Sequence, residues 1–109
     1  MYTVIKRLEI SAAHQLNLSY KSKCESLHGH NWIITIYLHS KQLNNDGMVY
    51  DFTEIKKRIH EKLDHKNLNY IIDQPTAENI AKYICDVLGD KCFKVQVQES
   101  EGNMQIYER

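Results

Sequence analysis

Two long alternating segments at the start of the chain constrain its fold most strongly. In residues 2–15, β-branched and apolar residues fall largely on one parity, and His14 ends that series. This period of two is typical of a β-strand with one buried face. A second strand is predicted over residues 28–40. The polar, aperiodic residues 16–27 between them are interpreted as a loop, of a length that is often functional.

Two helical patterns follow in the middle of the chain. Asp51 and Glu54 have the spacing of a capping box, and apolar residues then repeat every four positions as far as Leu63. A second helix is predicted from Thr76, its N-cap, to Gly89, which closes it. Both helices are amphipathic, so each must pack its apolar face against another layer.

The end of the chain returns to strands. Residues 93–98 and 104–108 alternate again, with a turn at 101–103. The order ββααββ predicts an α+β fold, in which one domain, residues 1–109, forms a four-stranded antiparallel sheet with both helices on one face. Exposed strand edges favour edge-to-edge pairing, so we expect a homo-oligomer closed into a β-barrel.

Charge and cysteine content exclude several classes of protein. The 14 Lys and Arg residues equal the 14 Asp and Glu residues, so no overall charge favours nucleic acid or an anionic membrane. The apolar runs are shorter than the about 20 residues that cross a bilayer, and the N-terminus lacks a signal-peptide pattern. Three cysteines without a Cys-x-x-Cys pair argue against a disulfide framework. We therefore expect a cytoplasmic protein with free thiols.

Three histidines are predicted to meet at one end of the sheet. His14 ends the first strand, and His28 and His30 open the second strand on one face, about 6 to 7 Å apart. If the two strands are antiparallel neighbours, the three imidazoles converge and describe a Zn²⁺ site with an open coordination position. The alternative is three unrelated histidines at strand ends.

Cys24 is close to this histidine group in sequence, four positions before His28. It is either a fourth ligand that closes a structural site, or a base or nucleophile beside the metal. The spacing does not separate these two interpretations. Cys85 and Cys92 are predicted to be small packed residues.

Two carboxylates suggest further chemistry. Asp64 precedes His65 where the first helix ends, and a carboxylate beside an imidazole suits a proton relay; the alternative is that the pair caps the helix end. Glu99 follows the third strand, where a carboxylate can accept two parallel hydrogen bonds from the edge of a pterin or guanine. The alternative for Glu99 is a solvent-facing side chain.

Six short blocks, in a fixed order, span nearly the whole chain: Ser11 to His14, Cys24-x3-His28-Gly-His30-Asn-Trp32, Gly47 to Phe52, Leu63 to Asn69, Pro75 to Asn79 and Val97 to Ser100. Together they resemble the 6-pyruvoyl tetrahydropterin synthase family. The three-residue gap between Cys24 and His28 resembles the bacterial 6-carboxy-tetrahydropterin synthases of the queuosine and 7-deazapurine pathway. The chain departs from the family pattern at Ile10, where Phe is common, and at Gln15, where Arg is common.

The resemblance implies a tunnelling fold (T-fold), whose ββααββ subunits assemble as trimers or hexamers with active sites at subunit interfaces. The implied site residues are, by role, the zinc ligands His14, His28 and His30; the catalytic residues Cys24 as proton acceptor, Asp64 and His65 as relay, and Glu99; and the substrate-binding residues Glu99 and Thr76. The implied cofactor is Zn²⁺ alone.

The implied reaction converts 7,8-dihydroneopterin triphosphate to 6-carboxy-5,6,7,8-tetrahydropterin, acetaldehyde and triphosphate. A 6-pyruvoyl product is one alternative. Aldolase-type side-chain cleavage is another, because some relatives replace the cysteine by glutamate and Glu25 follows Cys24 here. A non-catalytic pterin-binding module with structural zinc is a third, and a metal-sequestering protein is a weaker fourth. Lys21, Lys23 and Lys66 are candidates to contact the triphosphate.

Overall fold

The computed structural model describes residues 1–109 and contains one four-stranded antiparallel sheet. Its strands are β1 (Tyr2–His14), β2 (His28–Ser40), β3 (Cys92–Ser100) and β4 (Asn103–Glu108), which lie side by side in chain order. Two helices between β2 and β3 cover one face of the sheet. The predicted ββααββ order and the α+β class are confirmed.

Strands β1 and β2 pair along their whole length, from Tyr2 opposite Ser40 to His14 opposite His28. Because side chains alternate between the two faces, this register places the apolar parity of both strands under the helices. The residues that β1 and β2 contribute to the buried core are Leu8, Ile10, Ala12, Trp32, Ile34, Ile36 and Leu38. The same parity places His14, the last residue of β1, on the covered face.

The first helix, α1, comprises three consecutive segments. Phe52–Ile55 is α-helical, Lys56–His60 is π-helical and Glu61–Leu63 is α-helical. The predicted capping box forms only by half. The Asp51 carboxylate accepts the Thr53 N–H at 2.8 Å, but the Glu54 carboxylate accepts instead from Arg58 at 3.1 Å.

The π-helical segment has a physical reason in the spacing of the buried residues. Ile55, Ile59 and Leu63 are all fully buried. On a regular α-helix with 3.6 residues per turn, a strict four-residue repeat drifts around the axis by about 40° per step. A π-helical segment has i→i+5 hydrogen bonds and more residues per turn, so it offsets this drift and keeps the three side chains on the sheet.

The second helix, α2 (Ala77–Leu88), is regular and begins and ends as predicted. The Thr76 hydroxyl accepts the Asn79 N–H at 3.1 Å as the N-cap. Gly89 ends the helix with φ of +87°, a conformation that residues with a Cβ rarely adopt. Its buried face comprises Ile80, Ala81, Ile84, Cys85 and Leu88.

Cys85 and Cys92 are buried where α2 meets β3, and both are free thiols. The Cys85 thiol donates to the Cys92 carbonyl at 3.2 Å, and burial raises the pKa of the Cys92 thiol to about 12. The guanidinium of Arg109 donates to the carbonyls of Cys92 (2.7 Å) and Cys85 (2.9 Å). Both cysteines are therefore packed residues, as the sequence predicts.

The opposite face of the sheet is not covered by helices. Ile5, Met104 and Ile106 lie on this face by their strand parity, and each is more than half exposed. Apolar exposure of this kind, next to the outer edge of β4 and to the part of the β1 edge that precedes Ser11, is consistent with the predicted barrel of several subunits. Neither helix is long and apolar enough to cross a membrane.

Candidate metal centre and catalytic site

Three histidines converge at the end of the covered face. His14 ends β1 directly opposite His28, the first residue of β2, and His30 is opposite Ala12. One ring nitrogen from each histidine lies within 4.8 Å of the corresponding atoms of the other two. The Nε2 atoms of His14 and His28 are 3.0 Å apart. The register of two antiparallel strands is therefore sufficient to assemble the group.

Backbone carbonyls orient two of the three rings. The Nδ1 of His14 lies 2.7 Å from the carbonyl oxygen of Pro75, and the Nδ1 of His28 lies 2.6 Å from that of Ser26. A carbonyl oxygen only accepts, so each Nδ1 carries a hydrogen and each neutral ring presents its Nε2 lone pair to the centre. Hydrogen bonding of the outer nitrogen is the usual arrangement of metal-ligating histidines.

The close approach of the two Nε2 lone pairs requires a cation or a proton between them. Burial lowers the pKa of His14, and the adjacent His28 lowers it further, against the raising effects of Pro75 and Glu99. Burial also lowers the pKa of His30. These shifts disfavour a proton on the rings, and neutral imidazole is the form that binds a metal. Three such nitrogens fit Zn²⁺ with a coordination position left open.

Trp32 separates this centre from the rest of the core. It is fully buried, and its ring centroid lies 4.9 Å from that of His14 and 5.1 Å from that of His30. Its indole N–H donates to the Ala12 carbonyl at 3.1 Å. The indole therefore forms an apolar wall behind two of the three imidazoles.

Glu99, at the end of β3, faces the same centre. Its Oε1 lies 3.5 Å from the Nε2 of His14 and 3.5 Å from the Nε2 of His30. A cavity of about 270 Å³ adjoins Glu99 and is lined also by Glu78, Asn103 and Gln105. The carboxylate thus faces both the three histidines and the polar cavity.

Cys24 lies in the loop before β2, on the short 3₁₀ turn Lys23–Glu25, and is half-buried. Its sulfur is not part of the cluster of ligand atoms, which contains the three histidines only. Its carbonyl oxygen accepts the Leu16 N–H at 2.8 Å. The structure therefore brings together the three histidines, without Cys24, as a group that could hold a metal ion.

Asp64 and His65 follow α1 and lie along the free edge of β1. The Asp64 Oδ1 accepts the Ser11 N–H at 2.9 Å, and this hydrogen bond is the main cause that lowers the pKa of Asp64. Its Oδ2 lies 3.6 Å from the Nε2 of His65 and equally far from that of His60. His65 has φ of +58° and its side chain is 82% exposed. Within the chain, no hydrogen bond or ion pair joins this pair to the histidine centre.

The remaining predicted contacts lie in different surroundings. The hydroxyl of Thr76 is engaged as the helix cap, next to the Pro75 carbonyl that holds His14. Lys21 and Lys23 line an open depression beside the Cys24 turn. The Lys66 carbonyl accepts the Ala13 N–H at 3.0 Å. The Lys66 ammonium makes no hydrogen bond or ion pair within the chain.

Sequence reasoning missed three contributors to the site. The carbonyls of Pro75 and Ser26 leave no side-chain signal, because any residue can supply a backbone acceptor. The third contributor is His60, whose Nε2 lies 3.6 Å from the Asp64 carboxylate; its four-residue spacing to Asp64 on a helix is a detectable signal.

Comparison with known proteins bears directly on this geometry. The family model described as 6-pyruvoyl tetrahydropterin synthase matches residues 3–109. The chain belongs to this family. The structure of the Caenorhabditis elegans 6-pyruvoyl tetrahydropterin synthase has a TM-score of 0.76 and 27% sequence identity, covering 99% of this chain and 95% of that one. The resemblance seen in the sequence and the T-fold are thereby confirmed.

Relatives within the family carry different names. The human 6-pyruvoyl tetrahydrobiopterin synthase is 33% identical, over 95% of this chain and 89% of its own length. A putative 6-carboxy-5,6,7,8-tetrahydropterin synthase of Archaeoglobus fulgidus is 38% identical, over 84% of this chain and 82% of its own length. A dihydroneopterin monophosphate aldolase of Pyrococcus furiosus is 36% identical, over 76% of this chain and 71% of its own length. All three names describe chemistry on a pterin, with different products.

Proposed function

We propose that the protein is a zinc-dependent lyase that converts 7,8-dihydroneopterin triphosphate and one water molecule to 6-carboxy-5,6,7,8-tetrahydropterin, acetaldehyde and triphosphate in queuosine or 7-deazapurine biosynthesis. The observation that carries the proposal is the convergence of His14, His28 and His30 with the Glu99 carboxylate at 3.5 Å. The similarity to the Archaeoglobus relative supports the carboxylated product.

Each site residue has a role in this reaction. His14, His28 and His30 would hold the zinc, which when bound polarises the substrate side-chain hydroxyls and acidifies the adjacent C–H bond. Cys24 accepts the proton from that carbon. Glu99 accepts two parallel hydrogen bonds from the pterin N–H and NH₂ groups, which fixes the orientation of the ring.

The relay role of Asp64 and His65 requires an active site shared between copies of the chain. Both residues lie on the outer edge of β1 and make no hydrogen bond or ion pair with the histidine centre of their own chain. A homotrimer or hexamer would bring them to a neighbouring centre. Inactive Cys24→Ala and Asp64→Ala chains, dissociated and reassembled together, should then regain part of the activity. A stable monomer at micromolar concentration in sedimentation would contradict the oligomer.

Product analysis is the direct test of the reaction. The zinc-loaded protein and 7,8-dihydroneopterin triphosphate should yield acetaldehyde and a carboxylated tetrahydropterin by mass spectrometry. Cys24→Ala should abolish turnover while zinc stays bound. Loss of zinc in this variant would instead identify Cys24 as a ligand, and a 6-pyruvoyl product would assign the chain to a sibling activity.

A second candidate is aldolase-type cleavage of the pterin side chain. Glu25 follows Cys24 and lines a polar cavity with Gln15, Asn17 and Asn69, and the Pyrococcus relative is named an aldolase. This function predicts glycolaldehyde as the small product and a large loss of activity in Glu25→Gln. Acetaldehyde with a fully active Glu25→Gln variant would exclude it.

A non-catalytic pterin-binding module with structural zinc is a third candidate, because Glu99 faces the centre whether or not turnover follows. It predicts that Glu99→Ala removes pterin binding, measured by fluorescence titration, and that no product forms with any dihydroneopterin phosphate. Turnover by the unmodified protein would rule it out.

A further inference from the structure

We propose that Asn69 and Gln74 are positioning residues whose side-chain amides hold residues 15–17 and, through them, the loop that carries Cys24. The inference rests on the proposed role of Cys24 as the base. The amides of Asn69 and Gln74 bind the backbone of residues 15 and 17, and neither residue belongs to the predicted catalytic set.

The last part of the outer β1 edge, from Ser11 onward, is hydrogen-bonded to the segment of residues 64–74. The Ser11 N–H donates to Asp64 and the Ser11 carbonyl accepts the His65 N–H at 2.7 Å. The Ala13 N–H donates to the Lys66 carbonyl at 3.0 Å. Alternate residues of an extended chain turn their backbone groups to the same side, so the next groups on this edge belong to residues 15 and 17.

Asn69 completes the edge at residue 15. Its Oδ1 accepts the Gln15 N–H at 2.8 Å, and its Nδ2 donates to the Gln15 carbonyl at 2.8 Å. A primary amide that binds both backbone groups of one residue replaces the pair of hydrogen bonds that a neighbouring strand would make. The edge therefore continues beyond the last residue of β1.

Gln74 repeats this arrangement at residue 17. Its Oε1 accepts the Asn17 N–H at 3.0 Å, and its Nε2 donates to the Asn17 carbonyl at 2.9 Å. The two side-chain amides, here called the clamps, thus bind residues 15 and 17 of the same extended edge. Gln74 directly precedes Pro75, whose carbonyl oxygen lies 2.7 Å from the Nδ1 of His14.

Leu16 links the clamps to Cys24. Its backbone N–H points away from the two amides and donates to the Cys24 carbonyl at 2.8 Å. No residue between 15 and 27 is fully buried, so this loop is placed by hydrogen bonds rather than by packing in the core. Release of residues 15–17 would therefore release Cys24 while His14 and the sheet stay in place.

The test compares Asn69→Ala and Gln74→Ala with Asn45→Ala, which removes an exposed amide that makes no side-chain hydrogen bond. Zinc content, kcat and KM for 7,8-dihydroneopterin triphosphate, and the rate of Cys24 alkylation by iodoacetamide are measured. Misplacement of a reacting group by about 1 Å costs up to about 100-fold in rate. We expect kcat to fall about 10- to 100-fold in both clamp variants, with zinc content unchanged and KM changed by less than about threefold.

Amide hydrogen exchange, followed by mass spectrometry, distinguishes positioning from general destabilisation. Exchange should accelerate in residues 15–27 and stay unchanged in β2 and β3. Asn69→Asp and Gln74→Glu keep an acceptor but lose the donor, so they should show intermediate exchange and intermediate kcat. Unchanged exchange in residues 15–27, or equal acceleration throughout the sheet, would overturn the proposal.

These readouts separate two kinds of failure. If the unmodified protein forms no product, the proposed function fails. Exchange and Cys24 alkylation then still decide whether the amides hold the loop. If the unmodified protein is active and the clamp variants retain its kcat, the positioning role fails and the proposed function stands.

Discussion

The covered face of the sheet has two parts that follow one alternation and differ in chemistry. The apolar part comprises Leu8, Ile10, Ile34 and Ile36, and the histidine end comprises His14, His28 and His30. The apolar part needs only packing against α1 and α2. The histidine end also needs hydrogen-bond acceptors, which the carbonyls of Pro75 and Ser26 provide. One strand pattern therefore supports packing at one end of the face and assembles a group of possible metal ligands at the other.

Loss of an imidazole should separate the two parts most clearly. In His28→Ala, one of three metal ligands is lost, so zinc affinity should fall by more than the about 100-fold typical of losing an outer hydrogen-bond partner. Turnover should disappear with it. The urea unfolding curve of the metal-free protein should change little, because His28 is only half-buried. Zinc analysis after dialysis checks the first expectation, and an unchanged zinc content would contradict it.

A cavity in the apolar part should have the opposite effect. Ile34 is fully buried, and truncation of such a side chain to alanine costs about 2–5 kcal/mol in the free energy of unfolding. In Ile34→Ala, the protein that stays folded should still bind zinc. Leu43→Ala is a matched control, since Leu43 is 41% exposed. Urea denaturation at a fixed protein concentration measures both, and equal losses in the two variants would contradict the prediction.

Trp32 lies at the boundary, so its substitution should affect both parts by smaller amounts. Trp32→Phe removes the indole N–H that donates to the Ala12 carbonyl, and it reduces the aromatic surface that packs against His14. Loss of a buried hydrogen bond costs about 1–3 kcal/mol. Zinc affinity should fall measurably but less than in His28→Ala. Isothermal titration with zinc tests this order, and an effect larger than that of His28→Ala would reverse it.

Acid should weaken the histidine end of the metal-free protein and leave the apolar part unaffected. Burial lowers the pKa of His14 below the ordinary value of 6.5, so the unfolded chain binds more protons than the folded one as the pH falls below 6.5. The free energy of unfolding must then decrease as the pH falls in that range. Urea curves between pH 7.5 and 5 measure this slope. A His14→Ala protein should show a shallower slope, and an equal slope would assign the effect to other groups.

Much of the fold could be predicted because its patterns are local. The parity of β1 and β2, the Thr76 cap and the Gly89 end of α2 each depend on a few neighbouring residues. The regular α1 predicted from its four-residue repeat was wrong in its middle turn. A four-residue repeat matches neither the α-helical nor the π-helical period. The helix therefore combines α-helical and π-helical turns, which keeps its apolar residues packed on the sheet.

The element order and the shared face of His28 and His30 were encoded in the sequence, because strand alternation follows from backbone geometry. The antiparallel pairing of β1 and β2, which brings His14 to the other two histidines, and the groups that surround all three are properties of the tertiary structure. The carbonyl of Pro75 on His14, the amides of Asn69 and Gln74 on the Cys24 loop, and the Ser11 N–H on Asp64 join residues 53 to 61 positions apart. No pattern of neighbouring residues predicts such contacts, because a backbone acceptor or a surface amide can pair with many groups, and the actual partner depends on how distant segments pack together.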